Sequence, residues 1–226
     1  TYKSAVEPFT STSMSDANRE QVTAYINSIW GKILSDISKS RKISVDSLNA
    51  YADKNMDFQQ AKEYIKCKLA DNLMYKDGAL SYLKKLADCK EDDNLNTLYL
   101  SDMINVNKNV PKDKSGNVIA VYYAYGDIVD EAPETSSTYI DSKKVTSDLR
   151  KLTNDDDVKA VVLRVNSPGG SAYASEQIWH EVVAMKEKKP VVVSMGDYAA
   201  SGGYYISCGA SYIIADPTTL TGSIGI

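Results

Sequence analysis

Val191-Val-Val-Ser-Met195 runs directly into Gly196-Asp-Tyr-Ala-Ala-Ser201-Gly-Gly-Tyr204. A short apolar run of β-branched residues reads as a buried strand, and the small residues behind it read as a tight turn into a helix. This layout puts Ser201 at the start of the helix, where backbone N–H groups and the positive end of the helix dipole favour negative charge. Upstream the pattern recurs: Val161-Val-Leu-Arg-Val165 leads into Asn166-Ser-Pro-Gly-Gly170. Its two glycines permit positive φ and can expose N–H donors as an anion cradle. A serine hydroxyl beside such a cradle points to acyl transfer.

Working outward, strands and helices alternate. Val118 to Tyr125, Val158 to Val165, Val191 to Met195 and Tyr212 to Ala215 read as strands. Ser142 to Leu152, Ala174 to Lys188 and Ser201 to Ser207 read as helices. Continuous apolar strands separated by helices predict a parallel sheet covered on its faces, with binding sites at the carboxyl ends of the strands. The Ser167–Gly170 turn and Ser201 both fall at such ends. Before the polar connection Asn109-Val-Pro-Lys-Asp-Lys-Ser-Gly116 the texture is helical. Val22, Tyr25, Ile26, Ile29, Trp30, Ile33, Leu34 and Ile37 mark one face of a long helix from Met14 to about Lys39. Further helices are expected over 45–52, 58–75 and 77–88. The fold class is therefore α/β, a parallel-sheet domain preceded by a helix-rich segment.

Composition narrows the function. A formal charge of −4, with lysines interleaved among acids, leaves no basic footprint for nucleic acid. No apolar run reaches the length of a membrane span. Cys67, Cys89 and Cys208 lack CxxC spacing and read as packed thiols, with a Cys67–Cys89 bridge open in an oxidising compartment. With one histidine in the chain, zinc is not expected, and no metal or other cofactor is implied.

A serine needs a base to become a nucleophile. His180 is predicted well along its helix, about 12 Å or more from the Gly-Gly turn at about 1.5 Å per residue, and reads as a surface histidine. Asp197 is nearer, but an ionised carboxylate is a weak base toward a hydroxyl. Lysine remains, and periodicity does not select which.

Four blocks, Thr1-Tyr-Lys-Ser-Ala-Val-Glu-Pro-Phe9, Lys159 to Ser171, Gly196 to Tyr205 and Thr221-Gly-Ser-Ile-Gly225, occur in order from one end of the chain to the other. Together they resemble the signal peptide peptidase A (protease IV) family in its long, two-domain form. That resemblance implies a Clp-protease/crotonase-like (ββα superhelix) fold, incomplete at both ends here. It implies the end of a first domain plus a helical linking segment over 1–108, and a second domain over 109–226. Ser201 would be the nucleophile and Lys3 the general base. Gly170 and Gly202 would donate N–H groups to the oxyanion, and Ser223 would orient the lysine amine. A buried lysine meets the requirement physically: its pKa must fall about three units from about 10.4, which desolvation can accomplish.

The activity implied is a Ser/Lys endopeptidase that degrades cleaved signal peptides and other extended apolar peptides. The resemblance further implies a homo-oligomer, tetrameric at full length, held at the bacterial inner membrane by an N-terminal anchor preceding Thr1, with the catalytic part on the periplasmic side. Two other readings follow from the same residues. An acyl-CoA-processing crotonase would use the Gly-Gly turn to hold a thioester oxygen, and a non-catalytic assembly module would use the helical part as a binding surface.

Overall fold

The computed structural model describes residues 2, 4–105, 115–133 and 138–224. By contact the chain divides into two units, one made of Thr1–Lys32 with Asp113–Ile226 and the other of Ile33–Lys112.

The N-terminal part is helical as its spacing predicts: α1 (Glu7–Thr10), α2 (Asp16–Arg41), α3 (Val45–Asp53), α4 (Ala61–Lys66) and α5 (Lys76–Leu86). Ser44 caps α3 by accepting the Ser47 N–H at 3.1 Å. The helix expected over 58–75 is much shorter. It stops after Lys66 because Lys68 takes a left-handed φ of 59°. The N–H groups of Lys68 and Leu69 then return to the carbonyls of Ile65 and Tyr64. This is a Schellman closure, usually made by glycine. α5 ends the same way at Asp88, with φ 54° and the Cys89 N–H bonded to the Lys84 carbonyl. In the unit Ile33–Lys112, Leu34, Ile43 and Leu48 form a small buried cluster. The three cysteines are unpaired.

The second part follows in the order β1 (Val118–Tyr125), β2 (Asp127–Val129), β3 (Tyr139–Asp141), α6 (Ser142–Asn154), β4 (Val158–Ser167), α7 (Ala172–Lys186), β5 (Val191–Ala200), α8 (Gly202–Cys208), β6 (Tyr212–Ile214) and β7 (Leu220–Gly222). The α/β class with a parallel sheet is as the sequence predicts. The main sheet has the order β1-β4-β5-β6, and β7 pairs with the far end of β5. β2 and β3 form a separate parallel pair. These two strands and β7 are three residues each and mix polar residues or glycine with apolar ones, so neither alternation nor a continuous apolar run reveals them.

Val161, Leu163 and Val165 of β4 alternate inward with Val191, Val193 and Met195 of β5, and Leu149, Ile178, Val182 and Ile206 from the helices close over them. The opposite sheet face differs from the expectation of cover on both sides. Val121, Tyr123 and Tyr125 of β1 remain 52 to 75% exposed, as do Tyr212 and Ile214 of β6 at 71% and 61%.

Pairing between β4 and β5 is regular through Val165 and Met195, and then jumps to Ser167 opposite Ala199. The Asn166 side chain bridges the interruption: its Oδ1 accepts the Tyr198 N–H at 2.9 Å and its Nδ2 donates to Asp197 at 3.3 Å. The two strand ends are thereby re-aimed, and the residues that follow them converge.

Candidate active site

Two strand-to-helix turns meet at the carboxyl end of the sheet. After β4, Gly169 and Gly170 take φ of 111° and 152°. A side chain at Gly169 would place its Cβ 2.7 Å from the Ser201 Cβ and 2.8 Å from the Gly202 nitrogen. At Gly170 the obstruction is the Ile128 carbonyl oxygen, at 2.0 Å. Glycine is thus required twice over, by conformation and by space.

The orientation of Gly170 follows from its neighbours. The Ile128 N–H donates to the Gly169 carbonyl and the Ser171 N–H donates to the Ile128 carbonyl, both at 2.8 Å. In a parallel bridge those bonds belong to Ile128, so the N–H of Gly170 itself points away from β2. Gly202 is close by, since a Cβ there would lie 3.3 Å from the Gly170 nitrogen. Ile128 was not singled out by the sequence, because its contribution is backbone and any apolar residue could make it. Ser171 continues the turn, capping α7 by accepting the Ala174 N–H and donating to Asp130 at 3.0 Å.

Ser201 occupies the equivalent place before α8 and behaves differently. It makes no side-chain cap, and its backbone sits at φ 49°, ψ −119°. That conformation is natural to glycine and costs a residue with a side chain about 1–3 kcal/mol. The strain is held from both sides. The Ser201 N–H donates to the Gly222 carbonyl at 2.9 Å, and its carbonyl accepts the Tyr205 N–H at 2.9 Å. A serine forced through a sharp strand-to-helix turn presents its hydroxyl outward instead of folding it back on the helix.

The hydroxyl opens onto a cleft of about 380 Å³ whose lining includes Gly170, Gly202, Tyr204, Tyr205, Cys208 and Ile224. Ser223 lines it as well, with a left-handed φ of 51°, delivered by the pairing of β7 with β5. Four residues expected at the site, Ser201, Gly170, Gly202 and Ser223, are therefore brought together. Lys3 lies outside the described residues. His180 is exposed on α7 and does not line the cleft. Asp197 is engaged by the Asn166 amide. Among the described residues no cluster of three or more histidine, cysteine or acidic side chains could hold a metal ion. No helix of the described residues is long and apolar enough to cross a membrane.

Cys208 and Ile224 were missed as cleft residues. Cys208 stands seven residues after Ser201, two helical turns on and on the same face, which a helical reading of the Ser201 turn could have found. Ile224 reaches the cleft only because β7 returns to the sheet.

The architecture is that of an α/β domain presenting a strained serine beside a Gly-Gly turn at the carboxyl end of a parallel sheet. The family is shown by comparison: the model of peptidase family S49 matches residues 1–90 and 183–226, more than half of the chain, and the chain belongs to that family. Over its whole length it is 42% identical to Protease 4 of Salmonella typhi and 30% identical to the chloroplastic serine protease SPPA of Arabidopsis thaliana. It covers 37% and 33% of those two proteins, so it spans about a third of the relatives it matches. A membrane-bound stomatin-specific protease solved with a substrate peptide aligns at 25% identity with a TM-score of 0.38, over 48% of this chain and 46% of that one.

Proposed function

We propose that this chain carries the nucleophile of a serine endopeptidase working through a Ser201/Lys3 dyad. The observation that carries the reading is the strained, uncapped backbone of Ser201 at a cleft that Gly170, whose N–H is not used by β2, also lines. In the reaction Lys3 takes the hydroxyl proton as Oγ attacks the peptide carbonyl. The oxyanion draws hydrogen bonds from the amides of Gly170 and Gly202, the C–N bond breaks, and the lysine returns the proton to the leaving amine. Water then repeats the sequence on the acyl-enzyme. Ser223 holds the lysine amine toward Ser201.

The substrates are cleaved signal peptides and other extended apolar peptides, in keeping with the largely apolar walls of the cleft. Residues 1–108 form the end of a first domain with a helical linking segment, and 109–226 form the second. The full-length protein is a membrane-anchored homo-oligomer.

The test is covalent labelling of full-length protein with a fluorophosphonate, together with peptide cleavage. Labelling should map to Ser201 and vanish in Ser201→Ala. Lys3→Ala should abolish cleavage while the protein stays folded. Undiminished cleavage in either variant would overturn the dyad.

A further inference from the structure

Tyr205 stands one helical turn beyond Ser201 and shares the cleft-facing side of α8 with Gly202 and Cys208. Its backbone is tied directly to the nucleophile, since its N–H donates to the Ser201 carbonyl. Its side chain is held from two directions. The phenol donates a hydrogen bond to the Glu176 carboxylate, and the ring leans on Trp179 at a centroid distance of 6.3 Å and a tilt of 46°. Trp179 packs closely against Gly209, where a Cβ would fall 3.0 Å from the indole nitrogen. The nearby carboxylate raises the Tyr205 hydroxyl above the ordinary tyrosine value, which keeps the phenol protonated and donating.

Glu176 is not among the residues that line the cleft, and it makes no ion pair among the described residues. Its described role is to hold Tyr205. A charged side chain holding an aromatic wall next to a nucleophile fixes how far that wall can retreat. A free tyrosine in the same place would rotate on the ps–ns timescale of exposed side chains and admit larger groups.

We infer that Glu176 is a positioning residue, which latches Tyr205 as the wall that limits the size of the apolar substrate side chain seated beside the scissile bond. The inference rests on the serine-peptidase reading above. Releasing the latch lets the ring swing away and shifts selectivity toward bulky side chains, and both substrates are still attacked by the same hydroxyl.

The experiment uses full-length enzyme and two peptides that differ only in having alanine or phenylalanine before the cleaved bond. Glu176→Ala and Tyr205→Phe should each raise the phenylalanine-to-alanine ratio of kcat/KM by about tenfold, the scale of discrimination by a hydrophobic pocket. Glu176→Gln, whose amide oxygen still accepts from the phenol, should keep the wild-type ratio. The Glu176→Ala/Tyr205→Phe double variant should add nothing, because one interaction is removed twice. A merely structural role would lower both substrates equally and leave the ratio alone. Ratios within twofold of wild type in both single variants, with Ser201→Ala inactive, overturn this inference by itself. Cleavage that survives Ser201→Ala overturns the serine reading and this inference with it. Tyr205→Phe keeps the ring and its packing, so the test stands even if Glu176→Ala does not fold.

Discussion

The unit that carries Ser201 and the helical unit Ile33–Lys112 bury their apolar residues to very different depths. Among the described residues, nineteen hydrophobic side chains form the core under the sheet, whereas three form the core of the helical unit. Leu163 and Val165 are wholly inaccessible, but Leu80, Leu83 and Leu86 of α5 stay 45 to 65% exposed. Both regions have apolar residues at the right spacing. The difference teaches that spacing makes an element, while cover makes it rigid, and a strained residue such as Ser201 persists only where the bedding is rigid.

The sharpest way to break that contrast is at Ser201. Ser201→Ala should reduce kcat for peptide cleavage by about 10⁴-fold or more, with an unchanged circular dichroism spectrum. Ser201→Gly should lose the same activity yet unfold at higher denaturant, by about 1 kcal/mol, because glycine occupies φ 49° without strain. Equal or lower stability in Ser201→Gly would show that the turn stores no strain.

Next in size, Gly170→Ala forces a Cβ to 2.0 Å from the Ile128 carbonyl oxygen and displaces the N–H donor. The loss expected is about 10²–10³-fold in kcat, the scale of removing one oxyanion donor, measured as steady-state cleavage.

The two units can be compared directly by truncating a leucine in each. Leu163→Ala in the sheet core should cost about 2–5 kcal/mol in urea unfolding. Leu83→Ala on α5 should stay within about 0.5 kcal/mol. Similar costs at both positions would mean that α5 is covered as well as the sheet is.

A modest, pH-dependent effect is expected at the start of α6. Asp141 accepts the N–H groups of Ala132 and Lys144, at 2.7 and 2.9 Å, and those bonds hold its carboxyl below the ordinary aspartate range. A depressed folded pKa stabilises the protein above the unfolded value of about 3.9 and loses that contribution as pH falls through the folded value. Asp141→Ala should therefore cost about 1 kcal/mol at neutral pH, the usual worth of an N-cap. The deficit should shrink below about pH 4, as read from urea midpoints against pH.

Much of this was readable in advance. The core strands and α2, α3, α5, α6 and α7 fall close to where periodicity predicts them, because each has enough residues for its period to stand out. The helix over 58–75 did not survive, because its stop at Lys68 uses a left-handed residue that is not glycine. Such an ending is decided by backbone hydrogen bonds, and a lysine carries no mark of it. β2, β3 and β7 were missed because each is three residues long and has no continuous apolar run such as Tyr212-Ile-Ile, which marked the equally short β6. Ser201, Gly170, Gly202 and Ser223 were named in advance and line one cleft, whereas the contact of Glu176 with Tyr205 was not, since it joins α7 to α8 across 29 positions of sequence.

By itself the sequence determined the alternation of strand and helix, and with it that Ser201 and the Gly169–Gly170 turn lie at the same end of a parallel sheet. That much is local, since side-chain shape and period choose each element. Only the tertiary structure decided the strained φ of Ser201, the direction of the Gly170 N–H and the arrival of Ser223 at the cleft. Each depends on a hydrogen bond or strand pairing between distant segments, from Ile128 in one case and from β7 in the others. Backbone groups make those bonds, and every residue type but proline brings the same ones, so no pattern of side chains along the chain records them.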